Sequence, residues 1–140
     1  MHVLLDTTFE SLSLLPYFLG YFALGLVLLL VFWRLYTWLT PHDEMALVKA
    51  NNNAAAVALG GALIGFALPL ASVITQALGI MDCIIWSLVA LVVQALTFVI
   101  LRALLPHLPE RIAQGEMASG VLTASLSIAV GLINAAAMSY

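Results

Sequence analysis

A chain of 140 residues that is 64% hydrophobic and only 8% charged, with a net charge of −3, lies far outside the usual composition of a soluble domain. Four basic residues within an acidic balance exclude a role in nucleic-acid binding. The composition predicts an integral membrane protein with too little polar sequence for a separate soluble domain.

Four apolar stretches run along the chain, and each exceeds the roughly 20 residues that a helix needs to cross about 30 Å of hydrocarbon. They cover about residues 12–40, 51–80, 81–105 and 113–139. A membrane β-barrel would instead show short alternating strands separated by many turns. We therefore predict an all-α integral membrane fold, in which four transmembrane helices form a bundle that is a single domain over residues 1–140.

The first stretch is predicted to be a retained transmembrane helix and not a signal peptide. Its leader contains Asp6 and Glu10 with no Lys or Arg, and the stretch is longer than the apolar region of a signal peptide. Its bulky aliphatic and aromatic residues suit a helix that faces lipid.

The basic residues set the predicted orientation, because cytoplasmic connections of membrane proteins are enriched in Lys and Arg. All four lie at or near the first and third connections: Arg34, Lys49, Arg102 and Arg111. An aromatic belt at the membrane surface is predicted beside them, from Trp33, Tyr36 and Trp38. We therefore expect these two connections in the cytoplasm and both termini on the outer, periplasmic side.

Small residues recur at every fourth position of the second and fourth stretches. In the second stretch this line runs from Asn53 through the GxxxG step of Gly61 and Gly65 to Val73. In the fourth it comprises Gly115, Ser119, Thr123, Ser127, Gly131, Ala135 and Ser139. Membrane helices associate through close backbone approach and interhelical hydrogen bonds, because lipid tails are as apolar as leucine. The pattern favours packing of these two helices within one chain; a subunit interface and a pore lining are the alternatives.

An internal repeat of about 66 residues is also predicted, because His42 matches His107 and, after one inserted residue, Glu44 matches Glu110. Each copy contains two spans, so the copies would share one orientation as parallel repeats. Repeat 1 covers about residues 12–80, and repeat 2 covers about residues 81–140.

The third stretch contains two polar residues at different depths. Asp82 opens the span, so we place it at the outer interface. Gln94 lies deeper, where an amide needs a hydrogen-bond partner, and we expect a helix-to-helix hydrogen bond. Cys83 is the sole cysteine, which excludes an internal disulfide and suits a buried small residue.

Three consecutive amides stand where the second span begins. The first interpretation is a helix cap at the membrane interface that leads into a packing face. The second is a polar site, formed where these amides meet acidic and histidine side chains of both charged connections. Its candidate members are Asn51, Asn52, Asn53, His42, Glu44, His107, Glu110 and Glu116.

The spacing of these residues does not indicate an enzyme active site. Their spacing matches no metal-ligand motif such as HExxH, and the sequence has no nucleophile motif or glycine-rich phosphate loop. We therefore predict no catalytic residue, no cofactor and no metal site. The deep apolar core carries amides and hydroxyls without a central charged residue, which argues against a proton relay.

The run NNAAAVALGGALIG, residues 52–65, carries a resemblance to a known family. With its four spans in two tandem units and with Glu44 before the connection, the chain resembles the YjfL-like family of bacterial inner-membrane proteins, domain of unknown function 350. In the second half Glu116, Ala118 and Gly120 stand near the place where this family repeats an Asn and small residues. The resemblance implies a protein of the bacterial inner membrane that acts with membrane-stress partners, and it implies no established reaction.

These observations predict a non-enzymatic membrane scaffold or stress-related component that self-associates through its small-residue helices. Its expected partners are membrane lipids, further copies of the chain and a soluble cytoplasmic protein. The alternative is an oligomeric channel or transporter for ions, small solutes or lipid, lined by the hydroxyl groups of the fourth stretch. A four-helix monomer packed on small residues leaves little room for a channel, so conduction would need an oligomer.

Overall fold

The computed structural model describes residues 1–40 and 43–138, and the described residues form seven helices. They are α1 (His2–Ser13), α2 (Leu15–Leu39), α3 (Glu44–Lys49), α4 (Asn53–Gln76), α5 (Ile80–Leu104), α6 (Leu108–Ala113) and α7 (Met117–Ala137). Four helical runs are long and apolar enough to cross a membrane: His2–Leu39, Asn53–Gln76, Ile80–Leu104 and Met117–Ala137. The predicted all-α fold with four candidate spans is confirmed.

The two charged connections contain short helices where loops were predicted. Helices α3 and α6 have six residues each. Asp43 caps α3 by accepting a hydrogen bond from the Ala46 N–H at 3.2 Å, and Pro109 lies in the first turn of α6, where its missing N–H costs nothing. After each short helix one residue with positive φ, Asn51 at 65° or Gly115 at 85°, turns the chain toward the next span.

The centre of the bundle is the pair α4 and α7, which makes the most extensive helix contact among the described residues. Glycines let the two backbones meet. A Cβ atom added at Gly61 would overlap the backbone of Ala124, and one added at Gly131 would overlap the carbonyl of Gly65. Such an approach is possible only where at least one helix lacks a side chain.

The order of contacts shows that α4 and α7 run parallel. Near the first turns, a Cβ added at Gly120 would lie 2.6 Å from the Ala54 carbonyl oxygen. Near the last turns, Ser72 Oγ donates a hydrogen bond to the Ala135 carbonyl at 3.2 Å. The two helices therefore stay together along most of their length.

All six residues that were predicted to pack are buried: Gly61, Gly65, Ser119, Thr123, Ser127 and Gly131. The first line is wrong at its start, where Asn53 is exposed, and correct at its end, where Val73 is buried. The second line is wrong at both described ends, since Gly115 is exposed before α7 and Ala135 is half-buried, while Asn134 and Met138 are buried instead. A step of four residues turns the helix about 40° too far, because a helix has about 3.6 residues per turn. The contact line must therefore include steps of three, and Ser139 lies outside the described residues.

Helices α2 and α5 pack around this pair. Helix α5 buries Cys83, Ser87, Ala90, Gln94, Phe98 and Leu101. From α2, Phe32 stacks on Phe66 with ring centroids 4.8 Å apart, and Tyr36 contacts Phe98 edge-on at 5.1 Å. Tyr36 is thus a core residue, and its predicted place in the aromatic belt is wrong. Trp38 is 79% exposed, as a belt residue would be.

The neighbouring glycines Gly60 and Gly61 provide a matched test of the α4–α7 contact. A Cβ added at Gly60 meets no atom within 4 Å, whereas one at Gly61 overlaps Ala124. Alanine favours the helix at both positions by about 1 kcal/mol. We therefore expect Gly60→Ala to be neutral or stabilising and Gly61→Ala to lower the free energy of unfolding by about 1–3 kcal/mol through overpacking. Titration of the purified protein with sodium dodecyl sulfate measures both, and equal effects would contradict the contact.

Candidate functional site

The two charged connections meet at one end of the bundle, which we call the loop end (residues 43–53 and 105–118). Asn52 Nδ2 donates hydrogen bonds to the carbonyls of Ala113 at 2.9 Å and Ile112 at 3.3 Å. On the other side, Arg102 Nη1 donates to the Leu39 carbonyl at 3.3 Å. These bonds join α4 to α6 and α5 to α2, so side chains from both halves of the sequence form one surface.

Asn52 is the central residue of the loop end. Its Oδ1 accepts a hydrogen bond from the Ala55 N–H at 3.1 Å, which caps the first turn of α4. Its Nδ2 donates hydrogen bonds to the last carbonyls of α6. These carbonyls have no partner within their own helix, because they lie at its end. Asn51 and Asn53 are exposed and, in the described part of the chain, make no side-chain hydrogen bond. The interpretation of the three amides as a helix cap therefore describes Asn52 alone.

Glu116 holds the position before α7 that Asn52 holds before α4. Its carboxylate forms an ion pair with Arg111 Nε at 2.8 Å and accepts a hydrogen bond from Ser119 Oγ at 3.3 Å. Both charged side chains are about half exposed, so water screens this pair and it contributes less than about 1 kcal/mol. The pair nevertheless fixes α6 to α7, while Asn52 fixes α6 to α4.

Glu44 is the exception among the acidic residues of the loop end. Only 1% of the residue is exposed, at the start of α3, and its carboxylate interacts electrostatically with the buried Tyr36. The sequence analysis grouped Glu44 with the other acids and histidines of the candidate polar site, but the fold buries it. No sequence signal distinguished it from Asp43, which is exposed.

The described members of the polar site predicted from both connections differ in their surroundings. His107 and Glu110 are exposed, Glu44 is buried, and Asn52 is used in helix capping. His42 lies outside the described residues. Within residues 1–40 and 43–138, no three His, Cys, Asp or Glu side chains form a group that could hold a metal ion.

Gln94 makes the interhelical hydrogen bond that the sequence predicted, and Asp82 lies at the start of α5. Gln94 is 3% exposed, and its Nε2 donates a hydrogen bond to the Ser127 carbonyl of α7 at 3.2 Å, as expected for a helix-to-helix bond. Its Oε1 is buried without a hydrogen-bond partner among the described residues. Asp82 is in the first turn of α5, where its Oδ2 accepts a hydrogen bond from the Leu78 N–H at 3.1 Å.

Ser119, Thr123 and Ser127 of α7 are buried within the chain, whereas Ser125 is exposed. Thr123 is fully buried, and its Oγ1 donates to the Ser119 carbonyl of the preceding turn at 2.8 Å. Ser127 is buried against Gly65 and Gln94. Because helices of the same chain enclose these residues, they cannot line a pore between subunits.

Comparison with known proteins identifies the same family that the NNAAAVALGGALIG run resembles. The family described as Domain of Unknown Function (DUF350) matches residues 9–138. The chain belongs to the DUF350 family. It is 37% identical over 123 residues to the UPF0719 inner membrane protein YjfL of Escherichia coli strain K12, which covers 88% of this chain and 93% of that protein. The protein of that name from Escherichia coli O157:H7 gives the same values. No solved structure matches the chain.

Three substitutions in this DUF350 protein separate the two roles of Asn52. Asn52→Ala removes the α4 cap and the bonds to α6, so we expect it to lower the free energy of unfolding by about 2 kcal/mol. Asn52→Asp keeps an acceptor for the Ala55 N–H and removes the donor to α6, so about half of that loss should remain. The control, Asn53→Ala, alters an exposed side chain and should change stability by less than about 0.5 kcal/mol.

The readouts are unfolding in detergent and hydrogen exchange of the α6 amides. Both Asn52 variants should speed exchange in α6, because each releases the end of that helix from α4. Exchange in α6 that stays at the level of the unaltered protein would show that Asn52 does not hold the helix in place.

Proposed function

We propose that this protein is a non-enzymatic scaffold of the bacterial inner membrane, which docks a soluble partner on its loop end and associates with further copies of itself. The name of its Escherichia coli relative and the four candidate spans support the location. In this proposal the loop end faces the cytoplasm and both termini face the periplasm, because all basic residues lie at or near the two charged connections.

The observation that carries the proposal is the attachment of α6 to both central helices. A helix of six residues has no stability of its own in water. Here Asn52 bonds to its last carbonyls, and its residues Leu108 and Ile112 are buried against α4 and α5. The exposed ion pair of Arg111 with Glu116 adds a weaker link to α7. A surface fixed in this way loses less conformational entropy on binding than a mobile loop would. The exposed side chains on it, such as Lys49 and Glu110, offer both signs of charge to a partner.

The similar construction of both halves supports the predicted parallel repeat, which we include in the proposal. In each half a long helix is followed by a helix of six residues, then by a residue with positive φ, an N-cap residue and a second long helix; the second half has a further positive φ at His107, before its short helix. Asn51 and Asn52 hold these two positions in the first half, and Gly115 and Glu116 hold them in the second. Duplication of such a unit would place two short helices side by side at the loop end.

Photocrosslinking in Escherichia coli cells tests the docking surface. A photoreactive phenylalanine at Lys49 or Gln114, both exposed at the loop end, should give a defined adduct with a soluble protein. The control position is Leu78, which is 93% exposed at the opposite end. Asn52→Ala should lower the yield of the adduct, because it loosens α6. If Lys49, Gln114 and Leu78 give the same products, the loop end is not a docking surface.

Self-association is proposed through α2, because the small residues of α4 and α7 are already buried within the chain. Residues 15–20 of α2 are all exposed. Phe18 stacks on Phe22 of its own helix with centroids 5.6 Å apart, and a Cβ added at Gly20 would meet no atom within 4 Å. This half of α2 therefore has an open apolar face that a second copy could cover.

Disulfide cross-linking in native membranes tests this interface. Cys83 is fully buried, and Cys83→Ser provides a background without cysteine. We expect Leu19→Cys to give a disulfide dimer on mild oxidation. Ile133→Cys is the control. Ile133 is exposed and lies four residues before the end of α7, just as Leu19 lies four residues after the start of α2. A strict monomer by native mass spectrometry, or equal cross-linking at both positions, would contradict self-association through α2.

A further inference from the structure

A groove of about 400 Å³ lies on the surface of the bundle between the second half of α2 and the start of α3, next to the loop end. The described residues that line it are Leu30, Trp33, Arg34, Thr37, Asp43 and Met45. Arg34 lies about 7 Å along the helix axis from Leu39, where α2 ends, and Leu30 is one turn deeper. The groove therefore extends along α2 from near its last turn toward its middle.

Two opposite charges face this groove without neutralising each other. Arg34 and Asp43 are both exposed, and neither forms an ion pair within the described part of the chain. Asp43 accepts one hydrogen bond, from the Ala46 N–H, and an ionised carboxylate can accept several more. Thr37 Oγ1 donates to the Arg34 carbonyl at 2.9 Å, which leaves the lone pairs of the hydroxyl oxygen available.

We propose that this groove binds a phospholipid whose headgroup carries both a phosphate and a primary ammonium group, as phosphatidylethanolamine does. The Arg34 guanidinium donates to the phosphate oxygens, for which its planar fork is suited. The Asp43 carboxylate accepts from the ammonium N–H groups. Trp33 stands at headgroup level, where its amphipathic ring is favoured, and an acyl chain follows Leu30 into the hydrocarbon.

The charge pattern distinguishes this headgroup from other common ones. A glycerol headgroup leaves the lipid with a net negative charge beside Asp43, which repels it. A choline headgroup is zwitterionic, but its quaternary ammonium has no N–H to donate. A second groove, of about 470 Å³ between α5 and α7, is lined by aliphatic residues and Thr97, so it offers no charge for a headgroup. Of these two grooves, the one beside Arg34 has both a positive and a negative side chain with which to recognise a zwitterionic headgroup.

Native mass spectrometry of the detergent-purified full chain tests the proposal by titration with phosphatidylethanolamine, phosphatidylglycerol and phosphatidylcholine of identical acyl chains. The unaltered protein should bind the ethanolamine lipid about fivefold more tightly than either of the others, which corresponds to about 1 kcal/mol at 1.4 kcal/mol per tenfold. Asp43→Asn should abolish the preference over phosphatidylcholine, while it keeps an effective N-cap for α3. Arg34→Gln should weaken binding of all three lipids.

The control variant is Lys49→Gln, which removes a positive charge from the same end of the molecule outside the groove. It should leave the lipid preference unchanged. Equal affinity of the unaltered protein for the three lipids, tightest binding of phosphatidylglycerol, or a preference that survives Asp43→Asn would each overturn the proposal. Thermal unfolding verifies that every variant is folded, and the result depends neither on self-association nor on a docked partner.

Discussion

The direct contact between the backbones of α4 and α7 is the interaction on which the rest of this structure depends. Within a membrane, the hydrophobic effect does not drive one apolar helix against another, so association must come from close packing and interhelical hydrogen bonds. Gly61, Gly65, Gly120 and Gly131 permit that packing along nearly the whole pair. Helices α2 and α5 then add larger side chains on the flanks, including the stacked rings of Phe32 and Phe66. The outward faces of α2 and α5 expose many large apolar side chains.

This contact also decides what the polar residues of the spans can do. Thr123 is enclosed between helices, and its hydroxyl donates a hydrogen bond to the Ser119 carbonyl of its own helix. Gln94 of α5 donates a hydrogen bond to the Ser127 carbonyl of α7. The same sequence pattern of hydroxyl and small residues would suit a helix that lines water. A packed helix and a water-lining helix can have the same side chains. They differ in whether the backbone of a partner helix lies directly against those side chains. The buried hydroxyls are therefore part of the packing, and function must be sought on the surface and at the loop end.

The sequence allowed the prediction of the apolar spans, the pairing of the second and fourth spans, and the interhelical hydrogen bond of Gln94, because composition and spacing carry these features directly. It could not distinguish Asn52 from Asn51 and Asn53, since the choice depends on the positive φ of Asn51 and on the position of α6. Helices of six residues are too short to show periodicity, so α3 and α6 were missed. The burial of Tyr36 and Glu44 follows from how α2 and α3 meet, which no local pattern encodes.

The length of the first helical run places a limit on its arrangement in the membrane. Its 38 residues would extend about 57 Å as one straight helix, nearly twice the hydrocarbon thickness of about 30 Å. Helix α2 alone, with 25 residues, is long enough to span it. The turn at Leu14, followed by Pro16, is where the chain can bend. Helix α1 also carries Asp6 and Glu10, which lipid tails would not solvate, so α2 is the better candidate for the membrane-spanning part of this run.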